Sequence, residues 1–286
     1  MNYAQDALWW RLAHPAVRDL ASLLTAPPLW HTGCELPVRQ LLGEHGFRLL
    51  LAWNDQWQSD PQRQPENLTR NRYALGKYAE DLLAYWFTHA PHAKLLAANL
   101  PIYSHNTDGN SADNSTLGEI DYIVELNGTP YHLELACKYH GSATGEHMAG
   151  LNPRDTLARK QGKLQRQLAL PARPEAQAAL RRHGIAPERI RSASIVRGIG
   201  FTATGELPAN FPPQAWSGIW TTTPQALPEH ARYYRLPRTE YLAPARITQP
   251  ETISRSQITP AALYAQVAPR PDGYWHEEQR IMVVAG

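Results

Sequence analysis

The chain has 286 residues, is 43% hydrophobic and 19% charged, and carries a formal net charge of +2 at pH 7. This length suits one large domain or two smaller ones, and the near-neutral charge means that a nucleic-acid partner must be argued from local charge. The two cysteines, Cys34 and Cys137, are too few for a disulfide framework.

The N-terminal sequence MNYAQDALWWRLAHP lacks the basic flank and sustained apolar run of a signal peptide. No window approaches the roughly 18 consecutive apolar residues that a membrane-spanning helix needs. We therefore expect a soluble, cytoplasmic protein that has no membrane partner.

Residues 1–68 are predicted to form an N-terminal helical segment. Apolar residues at helical spacing indicate a helix over 7–24 with a break at Pro15, and a second helix within 41–57. The polar stretch 60–68 contains two prolines and predicts a linker or surface loop.

Residues 69–204 are predicted to form a mixed α/β core. A helix is indicated over 71–88, where one apolar stripe is formed by Leu75, Tyr78, Leu82, Tyr85 and Trp86. Residues 94–103 suit a strand, and the turn-forming residues after them, 104–116, suit a loop.

A second helix and a further strand are predicted later in this core. Asp155 is the predicted N-cap of a helix over 156–169, and the alternation in 192–204 predicts a strand. The order helix, strand, hairpin, helix, strand favours a single mixed α/β domain, with a mixed sheet flanked by helices. In residues 205–286 prolines recur every few positions, so we expect an irregular C-terminal extension with short strands, packed on the core.

The clearest local prediction is a β-hairpin over 118–140. Apolar and polar residues alternate with period two on both sides of Asn127-Gly128, which is typical of half-buried antiparallel strands. Asn-Gly is the preferred pair for a two-residue type I′ turn. One face of the first strand carries the apolar residues Ile120, Tyr122, Val124 and Leu126.

A two-residue turn also sets the register of the hairpin. Counting outward from it, Tyr122 falls opposite Leu133, and Asp121 falls opposite Glu134 on the other face. Directly opposed like charges destabilise a sheet, so the acidic pair needs an explanation. It is either a ligand pair for a hard divalent cation such as Mg²⁺, or an acidic face open to water where basic neighbours soften the repulsion.

Two features of the predicted helix over 71–88 bear on this pair. Glu80 lies one turn after Gly76 and off the apolar stripe, where it could point past a packed sheet toward the carboxylates, although a solvated glutamate is the simpler interpretation. Gly76 costs about 1 kcal/mol relative to alanine inside a helix, which suggests that another backbone approaches closely there.

Positive charge is concentrated between residues 154 and 191, which contain ten Lys or Arg and three acidic residues. A phosphate backbone is a natural partner for such a segment, and a solvated helix face is the simpler alternative. On the predicted helix over 156–169 the candidate contact residues are Arg159, Lys160, Lys163 and Gln165.

Three short motifs resemble, in their order and spacing, those of the PD-(D/E)xK nuclease superfamily. They are Gly76-x-x-x-Glu80 on a helix, then Gly118-Glu-Ile-Asp121, and then Glu134 on an apolar strand. The basic helix follows in the usual place, and the resemblance covers about 75–205. Over the whole chain, including NPRDTLARK (152–160) and RLPRTEYLAPA (235–245), the sequence is similar to the uncharacterised bacterial family catalogued as domain of unknown function 1853.

This resemblance implies a restriction-endonuclease-like fold and a nuclease site that depends on Mg²⁺ or Mn²⁺. Asp121 and Glu134 would be metal ligands and the backbone carbonyl of Leu135 a third, while Glu80 would be an auxiliary ligand or would orient a metal-bound water. The partner would be nucleic acid, DNA or RNA, held by Gln165, Lys163, Arg159 and Lys160.

One position departs from the superfamily pattern. The lysine that normally follows the glutamate by two residues is replaced by Ala136, and Lys138 lies about 6.6 Å further along the same strand face. We expect Lys138 to act as the catalytic lysine, or Lys160 or Lys163 to supply the charge from the helix. The alternative function is that of a catalytically inactive nuclease-fold protein that binds nucleic acid or acts as a scaffold.

Three histidines in this region, His132, His140 and His147, are spaced by eight and seven residues. This spacing matches no compact metal-ligand pattern, so we expect them at the surface. Cys137, on the apolar face of its strand, is expected to be a core residue rather than a nucleophile.

Basic and aromatic residues are interleaved from Arg232 to Tyr241, as in proteins that bind single strands. A partly buried strand with its basic residues outside explains this tract as well, and we favour that interpretation.

Overall fold

A computed structural model describes residues 11–70, 75–104 and 115–285 of the chain. The predicted helical residues before 11 and at 71–74, and most of the predicted loop over 104–116, lie outside this part. The described part contains a nine-stranded mixed sheet flanked by helices, so the predicted mixed α/β class is confirmed.

The helices and strands are numbered in chain order. The helices are α1 (Pro15–Thr25), α2 (Val38–Leu42), α3 (Gly46–Ser59), α4 (Asn67–Arg70), α5 (Leu75–His89), α6 (Leu157–Leu168) and α7 (Pro174–Arg182). The strands are β1 (Ala93–Tyr103), β2 (Thr116–Leu126), β3 (Thr129–Gly141), β4 (Arg191–Thr202), β5 (Ser217–Thr221), β6 (Arg232–Arg235), β7 (Arg246–Ile247), β8 (Ala262–Pro269) and β9 (Trp275–Val283). None of the described helices combines the length and apolar character needed to cross a bilayer.

The order of strands across the sheet is β1-β2-β3-β4-β5-β9-β8-β6, and β7 pairs with β9. The first three strands pair antiparallel, whereas β3, β4, β5 and β9 are parallel neighbours. A parallel connection needs a long crossover, and α6 and α7 supply it between β3 and β4.

Residues 205–285 supply five of the nine strands, β5 to β9. The expectation of an irregular extension with short strands is wrong for β8 and β9, which have eight and nine residues and pair within the main sheet. The prolines of this region lie in connections and at strand ends, such as Pro269 at the end of β8, where a missing N–H is tolerated. The frequency of prolines therefore did not predict the length of the strands that lie between them.

Helices cover both faces of β2 and β3. Tyr122 and Leu133 pack with α1, α3 and α5 in one apolar cluster, whereas Ile120 and Ile123 pack with α7 in another. The prediction that Ile120 shares a face with Tyr122 is therefore wrong. The alternation is interrupted at Asp121, and in the neighbouring strand β1 the residue at this level, Asn99, has a left-handed φ of 51°.

Two helix boundaries differ from the sequence-based expectation. The helix expected within 41–57 is divided into α2 and α3, because Gly43 adopts a φ of 69° that a right-handed helix cannot include. Thr156, not Asp155, is the N-cap of α6, and its side chain accepts the N–H of Arg159.

Candidate functional site

The Asn127-Gly128 turn has the predicted left-handed conformation, with φ of 48° and 78°. Leu126 pairs with Thr129, so the hairpin leaves the turn in the predicted register. The turn therefore determines which residues of β2 and β3 come level with one another.

The antiparallel ladder between β2 and β3 ends at the pair Tyr122–Leu133. The pairing of Tyr122 with Leu133 is confirmed, but the next backbone pair predicted, Asp121 with Glu134, is not part of the ladder. β2 and β3 separate at this point, and side-chain contacts replace backbone pairing.

The side chain of Asp121 bridges the gap between the two strands. Its Oδ2 accepts the backbone N–H of Leu135 at 2.8 Å, and the backbone N–H of Asp121 donates to Glu134 Oε1 at 3.4 Å. Because the N–H and C=O of one strand residue face the same neighbouring strand, the Leu135 carbonyl faces β2, on the same side as the N–H that Asp121 accepts. The two predicted acids and the predicted carbonyl are therefore neighbours.

Both acids are buried, and within the described residues neither forms an ion pair with a Lys or Arg. The pKa of Asp121 is raised to about 7, chiefly by burial and then by the charge of Glu134, although the hydrogen bond from Leu135 acts to lower it. The pKa of Glu134 is raised to about 8 because burial outweighs the hydrogen bonds from Asp121 and the charge of Lys163, which act to lower it. At neutral pH the pair therefore retains a proton.

His132 is buried beside Glu134, so the expectation of a surface position is wrong. Its Nε2 lies 2.7 Å from Glu134 Oε1, and its Nδ1 lies 3.1 Å from Ser192 Oγ. Burial lowers the pKa of His132 to about 4, so the ring is neutral near pH 7 and can donate from one nitrogen only. Sequence reasoning missed this residue, although it lies two positions from Glu134 on the same strand face.

The second carboxylate oxygen of Glu134, Oε2, is buried and has no hydrogen-bond partner among the described residues. A buried acceptor without a partner costs free energy. A hard divalent cation would satisfy it, and the carboxylates of Asp121 and Glu134 are ligands that Mg²⁺ and Mn²⁺ prefer. The residues present therefore fit such an ion.

Within residues 11–70, 75–104 and 115–285, no three His, Cys, Asp or Glu side chains converge as a ready-made metal site. Two acids, one carbonyl and water are nevertheless a suitable set for Mg²⁺, which usually keeps several waters in protein sites. The third acid, Glu80, is half-buried and lies 3.5 Å from Lys77 Nζ.

Helix α5 is attached to β2 next to the acids, because the Tyr122 hydroxyl donates to the Glu80 carbonyl at 2.7 Å. Burial raises the pKa of Glu80, and the charge of Lys77 lowers it. Glu80 in turn contributes to the raised pKa of Asp121. The close backbone expected beside Gly76 is absent, since a Cβ there would meet no described atom within 4 Å.

Helix α6 covers the face of β3 that carries Glu134. Its Leu157, Leu164 and Leu168 pack in an apolar cluster with Ala136, so the position two residues after Glu134 belongs to the core. Lys163 of the same helix is the cation that acts on Glu134.

A cavity of about 860 Å³ lies alongside α6 and the C-terminal half of β3. It is lined by the predicted substrate residues Arg159, Lys160 and Lys163 and by the predicted catalytic Lys138, but not by the exposed Gln165. His140 also lines it and is 1% exposed, so its predicted surface position is wrong, whereas His147 is exposed as predicted.

Comparison with curated proteins and with solved structures gives no match. The family described as Domain of unknown function (DUF1853) matches residues 18–284. This match extends from within α1 to the residue after β9, and so includes the five C-terminal strands of the sheet. The chain therefore belongs to the DUF1853 family.

Proposed function

We propose that this protein is a divalent-metal-dependent nuclease that hydrolyses phosphodiester bonds in nucleic acid. The observation that carries the proposal is the gap between β2 and β3, where Asp121 Oδ2 accepts the Leu135 amide and Glu134 lies against the Asp121 backbone. Two buried acids there are short of positive charge and lie beside a basic helix. A restriction-endonuclease-like arrangement, with β1-β2-β3 followed by a parallel β4, is part of the proposal.

In this proposal Asp121, Glu134 and the Leu135 carbonyl would hold Mg²⁺ or Mn²⁺, and Glu80 would be an auxiliary ligand or would orient water. The chemistry that such an ion supplies when bound is polarisation of the scissile phosphate and a lowered pKa of water. Because the acids retain a proton at neutral pH without metal, loading of the site releases protons.

Two neighbours of Glu134 have distinct roles. His132 is a positioning residue, since its contact with Glu134 Oε1 leaves Oε2 free for a ligand. Lys163 acts electrostatically on Glu134, and we assign to it the stabilisation of negative charge on the phosphate. Lys138 lies roughly 13 Å from Glu134 along β3, at 3.3 Å per residue, and contributes from the cavity.

The substrate side of the site is the exposed face of α6. Arg159 and Lys160 line the cavity, and Gln165 is exposed on the same helix. Charged groups in this position neutralise phosphates without reading sequence, so binding by this helix should weaken steeply as salt is raised.

The test is incubation of the purified protein with single- and double-stranded DNA and RNA in Mg²⁺, Mn²⁺ or EDTA. We expect cleavage that requires metal and that Asp121→Asn and Glu134→Gln each abolish. Glu125→Gln, which lies on β2 with Asp121 but near the turn, is the matched control and should keep wild-type cleavage. Activity that survives both Asp121→Asn and Glu134→Gln rules out this site.

A catalytically inactive, nucleic-acid-binding or scaffold protein is the second candidate. It is favoured by Ala136, which packs under α6 where the superfamily has its lysine. Titration with Mn²⁺, followed by electron paramagnetic resonance, separates the two. A nuclease binds Mn²⁺ through Asp121 and Glu134, whereas nucleic-acid binding without Mn²⁺ binding and without cleavage supports the inactive protein.

A further inference from the structure

The cavity beside α6 is strongly basic. Seven Lys or Arg side chains and one carboxylate, Asp155, line it. Lys160 pairs with Asp155 at 2.8 Å, whereas within the described part of the chain the other six cations form no ion pair. Like charges gathered in one cavity repel one another, and an anion relieves this repulsion.

The cavity is built from two distant parts of the sequence. One wall is α6, which contributes Arg159, Lys160, Lys163 and Arg166. The other wall contains Arg238 and Tyr241, from the connection between β6 and β7. These two residues end the tract of interleaved basic and aromatic residues, whose first part forms the partly buried strand β6.

A buried imidazole in this cavity lacks a hydrogen-bond partner within the part of the chain that the structure describes. His140 is 1% exposed, and neither of its ring nitrogens has a hydrogen-bond partner among the described residues. The nearest acid is Asp155, whose Oδ2 lies 3.8 Å from His140 Nε2, beyond hydrogen-bonding distance. Buried polar groups are normally satisfied, so this ring points to a ligand with acceptor atoms.

We propose that this cavity binds the terminal phosphate monoester of a nucleic-acid strand. The inference rests on the nuclease function proposed above, and it makes the end of the strand a recognition element. A phosphate monoester carries about −1.5 to −2 charge at pH 7, compared with about −1 for an internal diester, and so matches a cavity with many unpaired cations better. The volume of about 860 Å³ also admits the terminal nucleotide.

The cavity and the two acids share one cationic neighbour, although neither acid lines the cavity. Lys163 lines the cavity and also acts on Glu134. Lys138 lies on β3 roughly 13 Å beyond Glu134, at 3.3 Å per residue. In this proposal a strand held in the cavity by its end runs along α6 toward the acids.

The experiment is fluorescence anisotropy in EDTA, so that no strand is cut. One single-stranded DNA sequence is compared in three forms, with a 5′-phosphate, with a 3′-phosphate and with hydroxyl groups at both ends. We expect one phosphate-ended form to bind about tenfold more tightly than the hydroxyl form, a difference typical of one added charge-assisted contact. The form that binds more tightly identifies the end.

Substitutions inside and outside the cavity test whether the preference for a phosphate end arises in the cavity. Arg238→Gln combined with Arg166→Gln, which changes both walls of the cavity, should reduce the preference to less than about twofold, because the terminal charge loses its partners. Arg182→Gln removes an exposed cation from α7, outside the cavity, and should leave the preference unchanged.

Equal affinity for the three forms overturns the inference, and so does a preference that survives the double variant. Two further outcomes distinguish failure of the proposed phosphate cavity from failure of the proposed nuclease function. A protein that prefers phosphate ends but cuts nothing in Mg²⁺ or Mn²⁺ supports the cavity and refutes the nuclease. One that cuts through Asp121 and Glu134 with no preference for either end refutes the cavity alone.

Discussion

Asp121 accepts the backbone N–H of Leu135 at 2.8 Å, across the point where β2 and β3 stop pairing. The carboxylate thus occupies the place of a backbone carbonyl in the ladder. Its position is therefore determined by the main chain of β3 as well as by its own rotamer. The Leu135 carbonyl faces the same strand as its N–H, and a second hydrogen bond, from the Asp121 N–H to Glu134 Oε1, keeps Glu134 alongside.

The raised pKa values of Asp121 and Glu134 predict that the metal-free protein loses stability as pH rises from about 6.5 to about 8. The folded acids, with pKa about 7 and about 8, bind protons in a range where the unfolded acids, with pKa near 4, do not. The free energy of unfolding therefore falls with pH, on the order of 1 kcal/mol per unit for each proton. Urea denaturation in EDTA at both ends of this window measures it.

The buried histidines act in the opposite direction, and mainly below this window. Burial lowers the pKa of His132 and of His140 to about 4, so their contribution to stability is lost below pH 6.5, as the unfolded state gains protons. Asp121→Asn combined with Glu134→Gln should remove the decline between pH 6.5 and 8. A decline of the same size in this double variant would contradict the assignment.

Replacement of His132 by alanine should weaken both stability and metal binding. It leaves Glu134 and Ser192 without their partner, which costs on the order of 2 kcal/mol. Loss of a residue that orients a metal ligand typically lowers metal affinity about 10- to 100-fold. Urea denaturation and Mn²⁺ titration measure the two effects, and His132→Gln, which keeps an amide donor, should recover part of both. Unchanged Mn²⁺ affinity in a folded His132→Ala protein would show that the residue is only structural.

Lys163 and Lys138 should differ in steady-state kinetics. Lys163→Met removes the charge that acts on Glu134 and should lower kcat about 100-fold, the usual effect of losing one group that stabilises transition-state charge. Lys138→Met removes a cavity cation and should mainly raise KM. The reverse order of effects would assign the catalytic role to Lys138.

Two glycines should respond in opposite directions to alanine. Gly198 has a φ of 136°, and a Cβ there would lie 1.7 Å from the Lys138 carbonyl oxygen, so Gly198→Ala should separate β3 from β4 and prevent folding. Gly76 lies in α5 with open space around it, so Gly76→Ala should stabilise the protein by up to about 1 kcal/mol. Soluble yield and thermal unfolding check both, and a stable Gly198→Ala protein would contradict the strand pairing.

A chain that ends at residue 204 should not fold. It lacks β5, β8 and β9, and it exposes Ile199 and Phe201, which pack against residues of the C-terminal strands. It also lacks the buried pair Arg280–Glu277, where Arg280 Nη2 lies 2.6 Å from Glu277 Oε2. Circular dichroism and urea denaturation of residues 1–204 test this. Cooperative unfolding of the fragment would show that the C-terminal strands are dispensable.

Local patterns predicted the elements whose causes lie within a few residues. The Asn127-Gly128 turn and the alternation around it predicted the hairpin, its register up to Tyr122–Leu133, and the proximity of Asp121 and Glu134. The 3.6-residue apolar pattern likewise predicted α5 and α6 to within a few residues. These features follow from backbone geometry and from the period of apolar side chains, and both depend on residues that are close together in the sequence.

Tertiary packing decided which polar residues are buried and how the C-terminal strands pair. Period two placed His132 and His140 on the polar face of β3, but burial of that face depends on α6, which lies far along the chain. The strands after residue 204 join the sheet because β5 pairs with the edge of β4, and β9 pairs with the other edge of β5. Arg238 likewise meets α6 at the cavity only in the folded chain. A sequence determines local conformation through neighbouring residues, whereas burial, pKa and the meeting of distant cations depend on which surfaces fold against each other.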